Sequence, residues 1–223
     1  MATATLTVET PSYRTIADLL ESLGDIPADR VLLDPMPGTA TERDVIGIHD
    51  RENRLFELVD GTLVEKVMGF DESVYAVLLT ASLIDYLKIH DLGAVIGADG
   101  MMRLFPGLVR MPDAAFISWA RYPKGKRKPI PNVAPDLVVE VLSKGNTPTE
   151  MTRKLGEYFR AGARLVWYVN PKQRTARIYT APNRSTLLRE DQSLDGGDVL
   201  PGFSLSIRDW FAEAERTGPR RER

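Results

Sequence analysis

The chain contains no cysteine. Disulfides, thiolate zinc centres and cysteine nucleophiles are therefore excluded, and the composition fits a reducing compartment. Histidine is nearly as scarce: only His49 and His90 are present, too few for a histidine-based zinc centre. No apolar stretch approaches the roughly 20 residues that a membrane-spanning helix needs. The segment Met1 to Thr10 has neither a basic run nor an apolar one, so it does not read as a secretory signal. The expectation is a soluble, cytoplasmic protein with no membrane partner. Excess charge is missing too. The formal net charge is −2, so no global basic field advertises nucleic acid, although a local one would suffice for a nuclease. There is no Gly-x-Ser-x-Gly elbow, no Gly-x-x-x-x-Gly-Lys-Ser/Thr phosphate loop and no Gly-x-Gly-x-x-Gly dinucleotide turn.

What is present reads as one folded α/β unit. Length (223 residues), 43% hydrophobic and 27% charged content suit a single well-packed domain. Residues 1–45 are expected to form an arm and a short helix, 46–215 the domain, and 216–223 a basic tail. Helical spacing is found at Thr15–Leu23, at Asp71–His90 and near Ile207–Glu215. A further helix is opened by Thr147-Pro-Thr-Glu150, a capping box with proline at the first position, and stops at Gly162. Alternation around Asp60-Gly61 marks a hairpin between Leu55 and Met68. Strands are expected at Ala94–Gly97, Met101–Phe105, Val109–Ser118, Leu137–Leu142, Leu165–Val169 and Thr175–Thr180.

One of these strands carries an anomaly. Pro135-Asp-Leu-Val-Val-Glu-Val-Leu-Ser143 is the most hydrophobic run of the chain, and Glu140 stands inside it. Its density of Leu and Val reads as a strand buried on both faces. An ionised carboxylate there costs several kcal/mol unless a metal or a cation compensates it. Asp113 opens the preceding strand, in Val109-Arg-Met-Pro-Asp-Ala-Ala-Phe-Ile117. Two carboxylates from adjacent strands suffice for Mg²⁺, which takes hard oxygen ligands and keeps several waters. The bland alternative is a Glu140 paired with an arginine and an Asp113 that merely follows a proline in a turn. Spacing alone leaves both open.

Other candidates stand beside this pair. Lys154 lies at the edge of the Met151/Leu155/Tyr158 stripe, from which its amine could lean over a carboxylate cluster; a solvated helix lysine is the alternative. Glu57 in Phe56-Glu-Leu-Val59 is either a third acid or an outward polar residue, and Asp99 reads as a turn residue. Arg121-Tyr-Pro-Lys-Gly-Lys-Arg-Lys128 is a basic loop directly after the Asp113 strand, with Trp119 and Tyr122 beside it. That composition suits phosphate contact and base stacking, or simply a solvated loop. Trp210 and Phe211 are candidate dimer contacts, with core packing as the alternative.

Several segments together carry a family resemblance. They are Arg-Met-Pro-Asp113-Ala-Ala-Phe-Ile, Pro-Asp-Leu-Val-Val-Glu140-Val-Leu-Ser, Lys154-Leu-Gly-Glu-Tyr-Phe-Arg-Ala-Gly162 and Val166-Trp-Tyr-Val-Asn-Pro171, with Phe56-Glu57-Leu-Val-Asp-Gly61 upstream. The chain resembles the Uma-type family of bacterial endonucleases within the PD-(D/E)XK, or restriction-endonuclease-like, superfamily. The resemblance implies an α/β (α+β) fold with a central mixed β-sheet flanked by helices. It implies a Mg²⁺ site, with Mn²⁺ as a substitute, held by Asp113, Glu140 and the backbone carbonyl of Val141. The lysine expected two positions after the glutamate is replaced by Leu142, and the matching position on the following helix is Lys154; Lys144 lies nearer but matches nothing in the family pattern. Glu57 would tune the site. The implied activity is that of a metal-dependent phosphodiesterase, a DNA endonuclease acting on duplex DNA through the basic loop as a homodimer. The rival is a catalytically weak or inactive nucleic-acid-binding or scaffolding protein that keeps the fold.

Overall fold

The computed structural model describes residues 13–219. The arm expected over the first ten residues and the end of the basic tail lie outside the described residues. In chain order the elements are α1 (Ile16–Ser22), β1 (Val31–Leu32), α2 (Glu42–Glu52), β2 (Phe56–Val59), β3 (Thr62–Glu65), α3 (Phe70–His90), β4 (Gly93–Ile96), β5 (Met102–Phe105), β6 (Leu108–Arg110) and β7 (Ala114–Ser118). They continue with β8 (Leu137–Val141), α4 (Pro148–Ala161), β9 (Leu165–Asn170), β10 (Thr175–Ala181), β11 (Arg184–Leu188), β12 (Ser193–Asp195), β13 (Ser204–Ser206) and α5 (Ile207–Ala214).

The strands form a mixed six-stranded sheet, ordered β11-β10-β9-β8-β7-β4, and a five-stranded sheet, ordered β1-β3-β2-β6-β5. A two-stranded ribbon, β12-β13, completes the set. In the larger sheet only β8 and β9 run parallel, because α4 carries the chain back between them; the remaining pairs are antiparallel. Period two gives β8 two different faces. Leu137, Val139 and Val141 pack with α3 and α5 in one core cluster, around Trp167 and Phe211. Val138 points the other way, into a second cluster with Leu155 and Tyr158 of α4, Val59 and Val64 of the smaller sheet and Leu19 of α1. Each of these fully buried aliphatic side chains contributes roughly 1.5–3 kcal/mol. Glu140 shares the second face.

Several expectations are corrected. Val109–Ser118 is two strands rather than one, and they belong to different sheets. Met111-Pro-Asp113 breaks the run: Pro112 has no N–H, the Met111 N–H turns to Glu57, and the Asp113 N–H is taken by Val139. The capping box at Thr147 is half made. The Thr147 hydroxyl accepts from the Glu150 N–H, but the Glu150 carboxylate turns inward to Arg30 in a buried two-pronged ion pair at 2.9 and 3.0 Å. Helix α2 spans residue 45, and Leu19, Leu23 and Ile26 are buried in the core with α4; the division into arm, domain and tail stays an expectation. Trp210 and Phe211 are core residues, 3% and 0% exposed, and so are not dimer contacts. The hairpin about Asp60-Gly61 forms, with both residues at positive φ as its tight turn requires. Among the described residues no helix is long and apolar enough to cross a membrane.

Candidate active site

Between the larger sheet, the smaller sheet and α4 lies a layer of buried charge. Glu57 comes from β2, Arg110 from the end of β6, Asp113 from the break before β7, Glu140 from β8, and Lys154 and Glu157 from α4; each is at most 6% exposed. Sequence placed Asp113, Glu140, Lys154 and Glu57 as candidates, and the fold brings all four together.

Ala114 pairs with Val139 across β7 and β8, which sets Asp113 alongside Glu140. One Asp113 oxygen accepts from the Val141 N–H at 2.7 Å, and the other meets the Lys66 ammonium at 3.0 Å. Glu140 Oε1 accepts from the Tyr158 hydroxyl at 2.5 Å and faces Lys154 Nζ at 3.5 Å. No described residue donates a hydrogen bond to the other Glu140 oxygen. The expected alternative of an arginine partner for Glu140 is thus not what the fold supplies. Lys154 Nζ also lies 3.3 Å from Glu57 Oε2, so it bridges the two glutamates rather than standing in solvent. Glu57 is no outward residue: it accepts from Arg110 at 2.7 Å and from the Met111 N–H at 3.0 Å. Arg110 in turn meets Glu157 at 2.6 and 2.8 Å.

Protonation follows from this geometry. For Glu57, burial is the largest single influence and opposes ionisation. Lys154, Arg110 and the Met111 amide together overcome it and hold the carboxyl down to about 2. Burial also dominates at Glu140, where Lys154 opposes it and the charge of Asp113 adds to it, so the carboxyl sits above its ordinary value. Burial likewise works against the Lys154 charge, but Glu140 and Glu57 outweigh it and the amine stays protonated. Tyr158 is pushed well above its usual range by burial and then by Glu140 and Glu57, which keeps its hydroxyl a donor. Glu57 therefore holds its charge with ease, while Glu140 is short of positive charge.

Four participants went unnoticed in the sequence: Lys66, Tyr158, Arg110 and its partner Glu157. Lys66, whose side chain is 7% exposed, donates to the carbonyls of Ala98 and Met111 as well as to Asp113. Its signal was the strand period: Glu57 pairs with Val64, and two residues on from Val64 lies Lys66, on the same face. Tyr158 read as core, and its ring is, but its hydroxyl is a ligand to Glu140. Arg110 carried no signal, since a strand-end arginine is ordinarily solvated. Asp99 is a turn residue, as expected. Lys144 is exposed in the turn after β8.

The basic loop lies elsewhere than its place in the chain suggested. It leaves β7 at Ser118, the end opposite Asp113, about 17 Å along the strand. Arg121 is tied there to Asp136 and to the Gly162 carbonyl, while Lys124, Lys126, Arg127 and Lys128 remain exposed. The chain then turns back, and Arg127 and Lys128 line a cavity of about 300 Å³ with Asp99 and Met101. Trp119 packs edge-on to Tyr122, and the Arg127 guanidinium lies over the Tyr122 ring.

Among the described residues no group of three or more histidine or acidic side chains is arranged to hold a metal ion. The adjacent carboxylates of Asp113 and Glu140 are hard oxygen donors that a divalent ion could share with water or backbone oxygen. That donor set suits Mg²⁺, and the unpartnered Glu140 oxygen and the deficit of positive charge there fit it.

Comparison with known proteins bears on the fold and the family. A solved structure described as a putative nuclease belonging to DUF820, from Anabaena variabilis, superposes with a TM-score of 0.66 at 20% identity, covering 73% of this chain and 92% of its own. That likeness establishes the restriction-endonuclease-like α+β fold. No curated protein matches the chain. The family model Uma2, described as "Putative restriction endonuclease", matches residues 45–208, which include every member of the buried charge layer. The chain belongs to the Uma2 family.

Proposed function

We propose that the protein is a divalent-metal-dependent nucleic-acid phosphodiesterase, and specifically a DNA endonuclease. The observation that carries this reading is Glu140, a buried carboxylate beside Asp113 with an unpartnered oxygen and an ammonium, Lys154, fixed 3.5 Å away. Burial of that carboxylate costs free energy that the neighbouring cations, or a bound ion, must offset. Family membership and the nuclease described for the Anabaena protein support the same reading.

Asp113, Glu140 and the Val141 carbonyl would hold Mg²⁺, or Mn²⁺ in its place. When bound, the cation neutralises charge at the scissile phosphate and acidifies a water. The chain's own residues do the rest. Lys154 cannot act as a base, because Glu57 and Glu140 keep it protonated; it stabilises negative charge developing on the phosphate. Glu57 positions that ammonium, and Arg110 and the Met111 amide fix Glu57. Tyr158 fixes the Glu140 rotamer through its hydroxyl. The basic loop Arg121–Lys128 contacts phosphates of duplex DNA away from the scissile one.

The test is calorimetric titration of Mg²⁺ or Mn²⁺ into the wild type, Glu140→Gln and Asp113→Asn, followed by plasmid nicking under the same conditions. Binding lost in both variants, with nicking lost too, is the expected result. In Lys154→Met, binding should persist while turnover falls roughly 10²-fold or more; Lys144→Met should change neither. Unchanged metal affinity in both acid variants would remove the site assignment.

One observation favours a second reading. Lys66 already neutralises Asp113 at 3.0 Å, as it would in a non-catalytic nucleic-acid-binding protein that keeps the fold. DNA binding without metal binding would establish that reading.

A further inference from the structure

The turn over residues 97–101 carries the chain from β4, the edge strand of the larger sheet, to β5, the edge strand of the smaller one. Beside it lies the cavity of about 300 Å³ to which Arg127 and Lys128 return. Its floor is apolar: Ile96, Met102 and Ile117 pack there with Tyr122. Three charged side chains, Asp99, Arg127 and Lys128, line the same space and are exposed at its mouth. None of the three makes an ion pair or a side-chain hydrogen bond among the described residues. The one contact of Arg127 is with the face of the Tyr122 ring, at 5.5 Å. An apolar hollow with a few convergent, uncommitted polar groups has the make-up of a small-ligand site, and its volume lies at the lower end of their range.

The turn holds Asp99 firmly. The Gly100 N–H donates to the Gly97 carbonyl at 3.0 Å. A Cβ at Gly100 would fall 2.0 Å from Ile96 Cγ2, so the turn is seated directly on the apolar floor. Lys66 ties it from the other side, donating to the Ala98 carbonyl at 3.0 Å while it meets Asp113 at 3.0 Å. A single ammonium thus separates the residue before Asp99 from a carboxylate of the candidate metal site. Neighbouring nucleotides of one strand can therefore span from those carboxylates to the cavity.

We infer that this cavity takes one unpaired guanine nucleotide of the substrate strand; that its ligand is a nucleotide rests on the nuclease reading. The apolar floor and the Tyr122 ring accept the faces of a base, and Arg127 and Lys128 supply positive charge for its phosphate. The space admits one base with its sugar and not the end of a duplex, so the base enters unpaired, with its Watson–Crick edge free. Asp99 then selects among bases. An ionised carboxylate has two acceptor oxygens and no donor. Guanine alone presents two donors side by side on that edge, the ring N–H and the amino group. Adenine and cytosine set one amino donor beside a ring nitrogen acceptor, and thymine sets one N–H between two carbonyls. Each of those three turns an acceptor on the second carboxylate oxygen, and a site built to pair two donors rejects them.

The test is calorimetric titration of the full chain with the four 5′-mononucleotides and with inorganic phosphate, in chelator, so that neither metal binding nor cleavage enters the signal. Guanosine monophosphate should bind roughly tenfold or more tightly than the other three and than phosphate. Asp99→Asn offers one acceptor and one donor, so its preference should pass from guanine to adenine and cytosine. Arg127→Gln/Lys128→Gln should weaken all four nucleotides and keep the guanine preference. All three positions are exposed, so both variants should melt at the wild-type temperature. Equal affinity for the four nucleotides, phosphate bound as tightly as guanosine monophosphate, a guanine preference that survives in Asp99→Asn, or no nucleotide bound at about 10 mM would each overturn the proposal. An inactive protein that selects guanine would leave the nucleotide site standing, whereas an active nuclease that does not select it would lose the cavity alone.

Discussion

Two glutamates share one lysine, and the residue-scale chemistry turns on which of them wins it. Glu57 also has Arg110 and an amide, so its carboxyl is held down to about 2, against 4.5 for the free side chain. A lowered folded value means stability that is complete above the unfolded value and lost as the pH falls from about 4.5 through about 2. The difference corresponds to about 3 kcal/mol. Glu140 is shifted the other way, by burial and then by Asp113 against the pull of Lys154. A raised acid favours folding while protonated, and its charge opposes folding as the pH rises through the folded value. The two substitutions should therefore diverge at neutral pH. Glu57→Gln should destabilise by about 3–5 kcal/mol, because Arg110 and Lys154 lose a buried counter-ion. Glu140→Gln should melt at or above the wild-type temperature. Calorimetric melts from pH 3 to 7 check both, and a Glu57→Gln protein as stable as wild type would contradict the assignment. Lys66→Met should separate stability from metal affinity. Without metal, Asp113 is left buried without its cation, at about 3 kcal/mol. With metal, a competitor for that carboxylate is gone, and affinity should rise roughly tenfold or more. A variant with unchanged affinity would show that Lys66 and the metal do not compete.

At the scale of elements, legibility followed the length and regularity of each pattern. The long α3, the α4 helix and the Asp60-Gly61 hairpin could be placed because period, cap and turn chemistry agreed. The face of Glu140 could be placed from strand period alone. Helix α2 could not, since only Val45 and Ile48 of it are buried, too few for a periodic signal; its one cue was the Thr41–Asp44 capping pair. The short strands β11–β13 were missed because β11 is exposed over four of its five residues and the ribbon has three residues per strand. Partners distant in sequence, such as Arg30 with Glu150 or Lys66 with Asp113, lie beyond any local pattern. The basic loop shows the same limit, since adjacency in the chain set it at the wrong end of β7. Its exposed cations still form an element with a testable role. Changing Lys124, Lys126, Arg127 and Lys128 together to glutamine should weaken DNA binding and flatten its salt dependence, by a slope of up to about 4 if each contacts a phosphate. Metal affinity should not move, because the ion pairs of Asp113 and Glu140 are to Lys66 and Lys154 and not to these four cations. An unchanged salt slope would assign DNA contact to another surface.

The whole molecule is two sheets clamped on a layer of charge, and that layer determines how folding responds to metal. Glu57, Asp113, Glu140 and Glu157 are faced by Lys66, Arg110, Arg153 and Lys154. Acids and bases are equal in number, so the protein should fold without a divalent ion, unlike a domain whose core waits for its metal. Chelation should leave secondary structure intact. Metal should then act as a ligand of the folded state only, adding about 2.7 kcal/mol at a hundredfold excess over its dissociation constant. For a chain of this size that is a rise of roughly 5–10 °C in the unfolding midpoint. Asp113→Asn should show none of it, and Lys154→Met should retain it, since Lys154 faces the glutamates and makes no contact with Asp113 among the described residues. Thermal melts in chelator, Mg²⁺ and Mn²⁺ check all three proteins. A rise of equal size in Asp113→Asn would mean that the ion binds elsewhere, and a chain unfolded by chelator would mean that the internal cations do not balance the acids.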